Sequence, residues 1–204
     1  MFDKQKVLNK LKDYSPYING YEYMKRASVL IPIVRKEGES HILFEVRSAK
    51  LKHRPCEISF PGGGIEENET AVNAAIRETC EEIGVSGNDI EIIGSLDLLV
   101  TPVNYIIHPF AGYLNNASSL RLNSDEVDHV FTVPLKVLLE MKPEEYKNTV
   151  NVEPDNNLPF DIIPGKRNYR FEKGTSPVFF YRYNGYVIWG ITAKILYNFL
   201  EFFR

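Results

Sequence analysis

A chain of 204 residues, 44% hydrophobic and 25% charged, can bury a well-formed core without disulfides. Its net charge of −3 argues against the broad basic surface that nucleic-acid binders rely on. Two cysteines, Cys56 and Cys80, show no scaffold spacing and point to a reducing compartment, with a cytoplasmic location as the expectation.

Charged residues run throughout Met1–Tyr14, so no secretory leader is expected there. Phe2, Val7, Leu8 and Leu11 fall at near-helical spacing and predict a short amphipathic helix within 2–13. Ala27–Arg35 reads as a buried strand and Ile42–Val46 as its partner, with Pro32 suggesting an edge position or a bulge. Further strands are expected around Glu91–Leu99 and Ile106–Leu114, and a helix over Pro134–Met141. Lys142–Gly174 reads as an irregular insertion with one or two short strands, too long for a plain connector. A strand over Val178–Tyr183, an Asn184-Gly185 turn and an amphipathic helix over Ile188–Phe203 close the chain. Lys194, Asn198 and Glu201 interrupt that last stretch, so it is not a membrane span. Strands alternating with helices imply an α/β layer architecture in one domain, 1–204, with 1–26 as a lead-in.

The stretch Gly63–Val85 carries the chemistry. A glycine run, Gly62-Gly63-Gly64, leads through an acidic loop into a predicted helix over Glu69–Ile83, with Asn68 as its N-cap and Gly84 just past its end. Glu78, Glu81 and Glu82 stand at i, i+3 and i+4, so at about 100° per residue they share one narrow face. The C-terminal end of a helix disfavours anions, and like charges there repel. A hard divalent cation with oxygen ligands would resolve the conflict and leave positions for a phosphate substrate.

Gly63, five residues, Glu69, seven residues, then Arg77-Glu78-Thr79-Cys80-Glu81-Glu82-Ile83-Gly84-Val85 resembles the Nudix box, G-x5-E-x7-R-E-U-x-E-E-x-G-U, where U is a bulky aliphatic residue. Thr79 departs from it and adds a hydroxyl that needs a partner, such as a carbonyl one turn back. Upstream, Leu43–Gly63 is similar to the signature of coenzyme A-directed Nudix hydrolases, L-L-T-x-R-S-x3-R-x3-G-x3-F-P-G-G. Leu43, Arg47, Ser48, Phe60, Pro61, Gly62 and Gly63 match; Phe44 and Lys52 are mild replacements, and Glu45 for Thr and Cys56 for Gly are departures. If the Gly position needs positive φ, Cys56 is strained there. Thr101-Pro102-Val103, His108-Pro109-Phe110 and Ile188–Ala193 resemble further segments of that subgroup; read on its own, Trp189 is a buried anchor.

The resemblance implies an α/β/α sandwich with a mixed β-sheet that hydrolyses the diphosphate of coenzyme A or its derivatives, giving adenosine 3′,5′-bisphosphate and (acyl-)4′-phosphopantetheine. It implies Mg2+ or Mn2+ as cofactor. Glu78 and Glu82 would be the principal metal ligands, Glu81 a further ligand or the holder of a water, the Gly63 carbonyl another oxygen, and Arg77 the group that orients the carboxylates. Arg47 and Lys52, with Gly62 and Gly63, would meet the substrate. A carboxylate from a loop beyond the box often completes such a site, and Glu126, Glu144 and Glu145 are its candidates. The partner expected is a small molecule, with neither nucleic acid nor membrane, and a homodimer stays open. Two alternatives stand beside this reading: a Nudix pyrophosphatase for NADH, ADP-ribose or a dinucleotide, and an inactive Nudix-like sensor or RNA-binding module. His53-x2-Cys56 is a poor zinc pattern, with no second pair.

Overall fold

The computed structural model describes residues 3–204, with Ser118 described by its backbone alone; Phe2, the first apolar position of the N-terminal helix, lies outside the described residues. Apolar residues run almost unbroken through the central strands, and their side chains point alternately to the two faces of one mixed sheet. In chain order the elements are α1 (Lys4–Leu11), β1 (Lys25–Lys36), β2 (Glu39–Arg47), β3 (Ile58–Ser59), β4 (Gly62–Gly64), α2 (Ala71–Ile83), β5 (Ile90–Ser95), β6 (Leu99–Val100), β7 (Tyr105–Leu114), β8 (Val127–Pro134), α3 (Leu135–Glu140), β9 (Glu144–Asn151), β10 (Lys173–Tyr183), β11 (Tyr186–Trp189) and α4 (Gly190–Glu201).

The main sheet has eight strands, with β3-β2-β1-β7-β5 as its path and β8, β4 and β6 paired to β2, β1 and β7. β1 and β7 run parallel and the other pairings are antiparallel. Leu30 and Val34 of β1 and Leu43 of β2 pack with Ala75 and Ile83 of α2 on one face. Ile31, Ile33, Ile42 and Phe44 pack on the other with Ala193, Leu196 and Leu200 of α4 and Leu138 of α3. The fold is α/β, helix on both sides of a mixed sheet. Among the described residues no helix is long and apolar enough to cross a membrane.

Several expectations are corrected. Pro32 is in a central strand, paired in register with Gly112 of β7. It is tolerated because β1 meets β4 only as far as Val29 and β2 only from Ile33. The Leu30 amide donates to the Pro61 carbonyl on that side, so the amide Pro32 lacks falls in the gap where the partner strands diverge. The supposed irregular insertion 142–174 begins as a strand: β9 pairs with β10 over Glu144–Asn151, and β11 completes a second, three-stranded sheet. The stretch 152–172 has no strand; two short 3-10 turns lie in it, Arg167 is stacked over Phe160, and Tyr169 packs edge-on against Phe171. The final helix starts at Gly190, directly after the unforeseen β11, and in the turn that joins β10 to β11 Asn184 and Gly185 both have positive φ. α1 is capped by the Asp3 side chain, which accepts from the Gln5 amide, but it buries none of its residues.

Candidate active site

Local sequence sets the box helix. The Thr70 hydroxyl caps it by accepting from the Asn73 amide, and Gly84 ends it in the left-handed region. Asn68 is not the cap; it takes positive φ in the preceding turn, and Glu69 lies outside the helix. That displacement frees Glu69 to accept from both the Nε and the Nη2 of Arg77, at 3.0 Å each. Thr79 is fully buried and its hydroxyl donates to the Ala75 carbonyl at 2.6 Å, one turn back. Left without that acceptor, a buried hydroxyl would cost about 1–3 kcal/mol.

The last turn of the helix is held from outside. The Arg121 and Asn123 amides donate to the Ile83 and Glu82 carbonyls, which would otherwise be unpaired. A Cβ on Gly84 would stand 2.1 Å from the Arg121 carbonyl oxygen. The same loop reaches back to β2, where the Ser48 amide donates to the Glu126 carbonyl and the Ser48 hydroxyl to that of Ser124.

The carboxylates gather between α2, β4 and β2. Glu82 is 4% exposed, and its Oε2 accepts the Gly62 amide at 2.8 Å. Glu78 presses on the glycine strand: a Cβ on Gly63 would lie 2.4 Å from its carboxyl carbon. Arg77 donates to Glu78 at 2.8 Å, to Glu81 at 3.2 Å and to the Gly64 carbonyl at 3.0 Å. Glu45 of β2 is 1% exposed; its Oε1 accepts the Ser59 hydroxyl at 2.8 Å, while its Oε2 is buried without a partner.

Burial pushes the carboxyls of Glu82 and Glu45 above the ordinary range, and their mutual repulsion adds to the rise in Glu82. Glu78 is raised by burial, against the lowering effect of Arg77 and with the charges of Glu81 and Glu126 adding to it. Glu126 repels Glu45, Glu78 and Glu82, whereas Glu144 pairs with Arg182 on the second sheet and Glu145 lies in β9. Of the three loop candidates the structure brings only Glu126 to the box. The hydrogen bonds from Arg77 lower Glu69, and those to Glu69 and then Glu78 raise Arg77 in return.

Among the described residues no three His, Cys, Asp or Glu side chains converge closely enough to hold an ion as placed. Arg77 spans Glu69, Glu78 and Glu81 and pairs with all three. The donor set is otherwise suited to a hard divalent cation: oxygens only, mutually repelling, with one buried carboxylate oxygen that nothing meets.

Of the basic segment, Arg47 is half-buried, its Nε enclosed without a partner, and its backbone closes the turn by accepting from the Cys56 amide and donating to the Glu57 carbonyl. Lys52, His53 and Arg54 are exposed in that turn. Cys56 has φ of +59°, so the glycine position of the signature does demand the left-handed region. Trp189 is 45% exposed and stacks on Phe180, so it is not the buried anchor its sequence suggested. Glu45 is the residue that sequence reasoning passed over. Its signal was a lone charge inside the apolar run Ile42–Val46.

The model of the NUDIX domain matches residues 24–168. The chain is 36% identical over 122 residues to the peroxisomal coenzyme A diphosphatase NUDT7 of Mus musculus, covering 58% of this chain and 50% of that protein. It is 38% identical over 117 residues to Nudix hydrolase 3 of Caenorhabditis elegans, covering 55% and 49%. The chain thus spans about half the length of these two curated relatives. The Nudix hydrolase NudL of Escherichia coli K12 matches more fully, at 30% identity over 173 residues, 84% of this chain and 79% of the relative. A solved C. elegans Ap4A hydrolase binary complex overlays at a TM-score of 0.47 and 21% identity, covering 57% of this chain and 84% of its own, too loose a likeness to bear on substrate.

Proposed function

The chain belongs to the Nudix family, and on that premise we propose that it hydrolyses the diphosphate linkage of coenzyme A or its derivatives, with Mg2+ or Mn2+ as cofactor. The observation that carries this reading is how the Leu43–Gly63 segment is built into the carboxylate cluster. Its Ser59 hydroxyl bonds Glu45 and its Gly62 amide bonds Glu82, so the stretch resembling the coenzyme A signature is part of the site's wall. The similarity to a coenzyme A diphosphatase supports the same substrate.

In this reading Glu78 and Glu82 hold the cation, with the Gly63 carbonyl and Glu81 contributing oxygens and Glu126 completing the set from its loop. A bound divalent cation would neutralise the diphosphate and acidify the attacking water. Arg77 orients Glu78 and Glu81, its Nη1 donating to both and offsetting their mutual repulsion. Arg47 and Lys52 meet phosphate charge beyond what the cation neutralises. The glycine strand lets Glu78 lie against backbone, where any side chain would push it away.

The test is a substrate panel of coenzyme A, dephospho-coenzyme A, NADH, ADP-ribose and diadenosine polyphosphates, each with and without Mg2+ or Mn2+. Cation-dependent release of adenosine 3′,5′-bisphosphate from coenzyme A, well ahead of the other substrates, is the expected result. Faster turnover of ADP-ribose or a dinucleotide would move the assignment to another Nudix substrate, and turnover of none would remove the enzyme reading.

A further inference from the structure

Strand β2 alternates its side chains between the two cores. Ile42 and Phe44 enter the α4 side and Leu43 the α2 side, so Glu45, two residues beyond Leu43, points toward the box helix. It is the one carboxylate in the middle of that buried strand, 1% exposed. The Ser59 hydroxyl satisfies Oε1, but Oε2 is enclosed with neither donor nor acceptor. Arg47, next along the same face, gives it no ion pair, and the Arg47 Nε is itself enclosed and unpartnered.

A buried carboxylate oxygen is strongly disfavoured unless a donor or a positive charge meets it. A proton would remove the charge but would still leave one carboxyl oxygen enclosed without a partner, because the Ser59 hydroxyl is the one group bonded to the carboxyl. The charge of Arg47 favours ionised Glu45 from a distance, but the other charges facing it, Glu126 and Glu78, are negative, and Glu45 in turn repels Glu82 more strongly than Glu78 or Glu126 does. Ser59 and Gly62, three residues apart on one segment, bond Glu45 and Glu82 respectively, so the two carboxyls are fixed to the same stretch of backbone. In the coenzyme A signature this position is a threonine, and here it is a carboxylate.

We propose that Glu45 supplies its Oε2 as a further oxygen ligand, beside Glu82, to a divalent cation of the Mg2+ or Mn2+ class; this rests on the cation site proposed above. The cation is the positive charge that the enclosed oxygen lacks. Glu45 thereby adds to the box helix a ligand from the sheet, and links cation binding to the packing of β2.

The experiment measures Mn2+ binding to the metal-free full chain by electron paramagnetic resonance of the free ion, together with the rise in Tm on adding Mn2+, in wild type, E45Q, E45T and E82Q. Glu45→Gln is expected to weaken Mn2+ binding about tenfold or more and to shrink the Mn2+-induced rise in Tm. Should E45Q fold poorly, E45T carries the signature's own residue and gives the same readout. Wild-type Mn2+ affinity in the folded Glu45 variants, with binding lost in E82Q, overturns the role of Glu45 and leaves the cation site standing. Undiminished binding in E82Q as well overturns the cation site itself, and the proposal with it.

Discussion

The carboxylate cluster and the basic turn beside it are joined by Arg47 and yet are held in opposite ways. Glu45 and Glu82 are buried, Glu78 is half-buried, and each is placed by a hydrogen bond or by backbone pressed against it. Lys50, Lys52, His53 and Arg54 are exposed, and the one ion pair among them, Lys50 to Asp125, joins two well-solvated side chains. Exposed pairs of that kind contribute roughly 0–1 kcal/mol. The difference teaches where the two parts of the chemistry are kept. On the proposed reading, charge that would have to stay fixed during cleavage is built into the core at a cost in stability, and charge that would only attract substrate stays in solvent, where it can be exchanged without disturbing the fold.

That contrast can be broken most directly at Glu82. Glu82→Gln keeps the shape but removes the charge, and turnover should fall about 10²-fold or more with the fold retained. Near-wild-type turnover would take Glu82 out of the metal site. On the basic side the effects should be smaller and confined to binding. Arg47→Gln or Lys52→Gln should raise KM for coenzyme A several-fold, by about 1 kcal/mol of lost charge pairing, and raise it less for dephospho-coenzyme A. Equal changes for both substrates would assign these cations to the diphosphate or to the fold.

A third measurement sharpens the comparison through pH. The carboxyls of Glu45 and Glu82 are both raised by burial from an ordinary value of 4.5, so the folded chain holds their protons to higher pH than the unfolded one does. Stability of the metal-free protein should therefore fall as pH climbs above 4.5, and go on falling until the raised values are passed. Saturating Mg2+ should flatten the slope, because the bound cation holds both groups ionised. A Tm that stays level across neutral pH without metal would contradict the burial argument. The smallest effect is expected in the turn: Cys56→Gly removes a side chain from the left-handed region and should stabilise by about 1 kcal/mol. No gain in Tm would mean that the turn relaxes around Cys56 at no cost.

The box was legible because its spacing is fixed by a helix of set pitch, and its neighbours Gly84 and Thr79 behave as local chemistry requires. The ends of elements were less so. The cap is Thr70 and not Asn68; both are good capping residues, and the Thr70 cap leaves Glu69 outside the helix, where it pairs with Arg77. A short strand was expected somewhere in 142–174, but β9 could not be placed because Glu144–Asn151 is exposed along most of its length and shows no alternation. β11 was merged into the last helix because Tyr186–Trp189 is apolar and runs straight into it. β8 carries the β-branched and aromatic pattern in Val127, Val130, Phe131 and Val133, but it opens inside the acidic run Asp125–Asp128, which reads as surface charge. Glu45 could be seen in sequence as a departure, but a sequence cannot say that a departure is buried next to Glu82.

The bonds from the Arg121 and Asn123 amides to the end of the box helix, and from Ser48 to Glu126, set a rule for how this chain can change length. Consecutive Cα atoms lie about 3.8 Å apart, so one residue added or lost between 123 and 126 would move Glu126 by more than a whole cation–oxygen distance of about 2.0–2.6 Å. Upstream, the loop 115–120 can lengthen and leave both anchors in place. Relatives should therefore vary in length freely before residue 121 and hold their count from there to Glu126, because that short span works as a ruler laid from the helix to the strand.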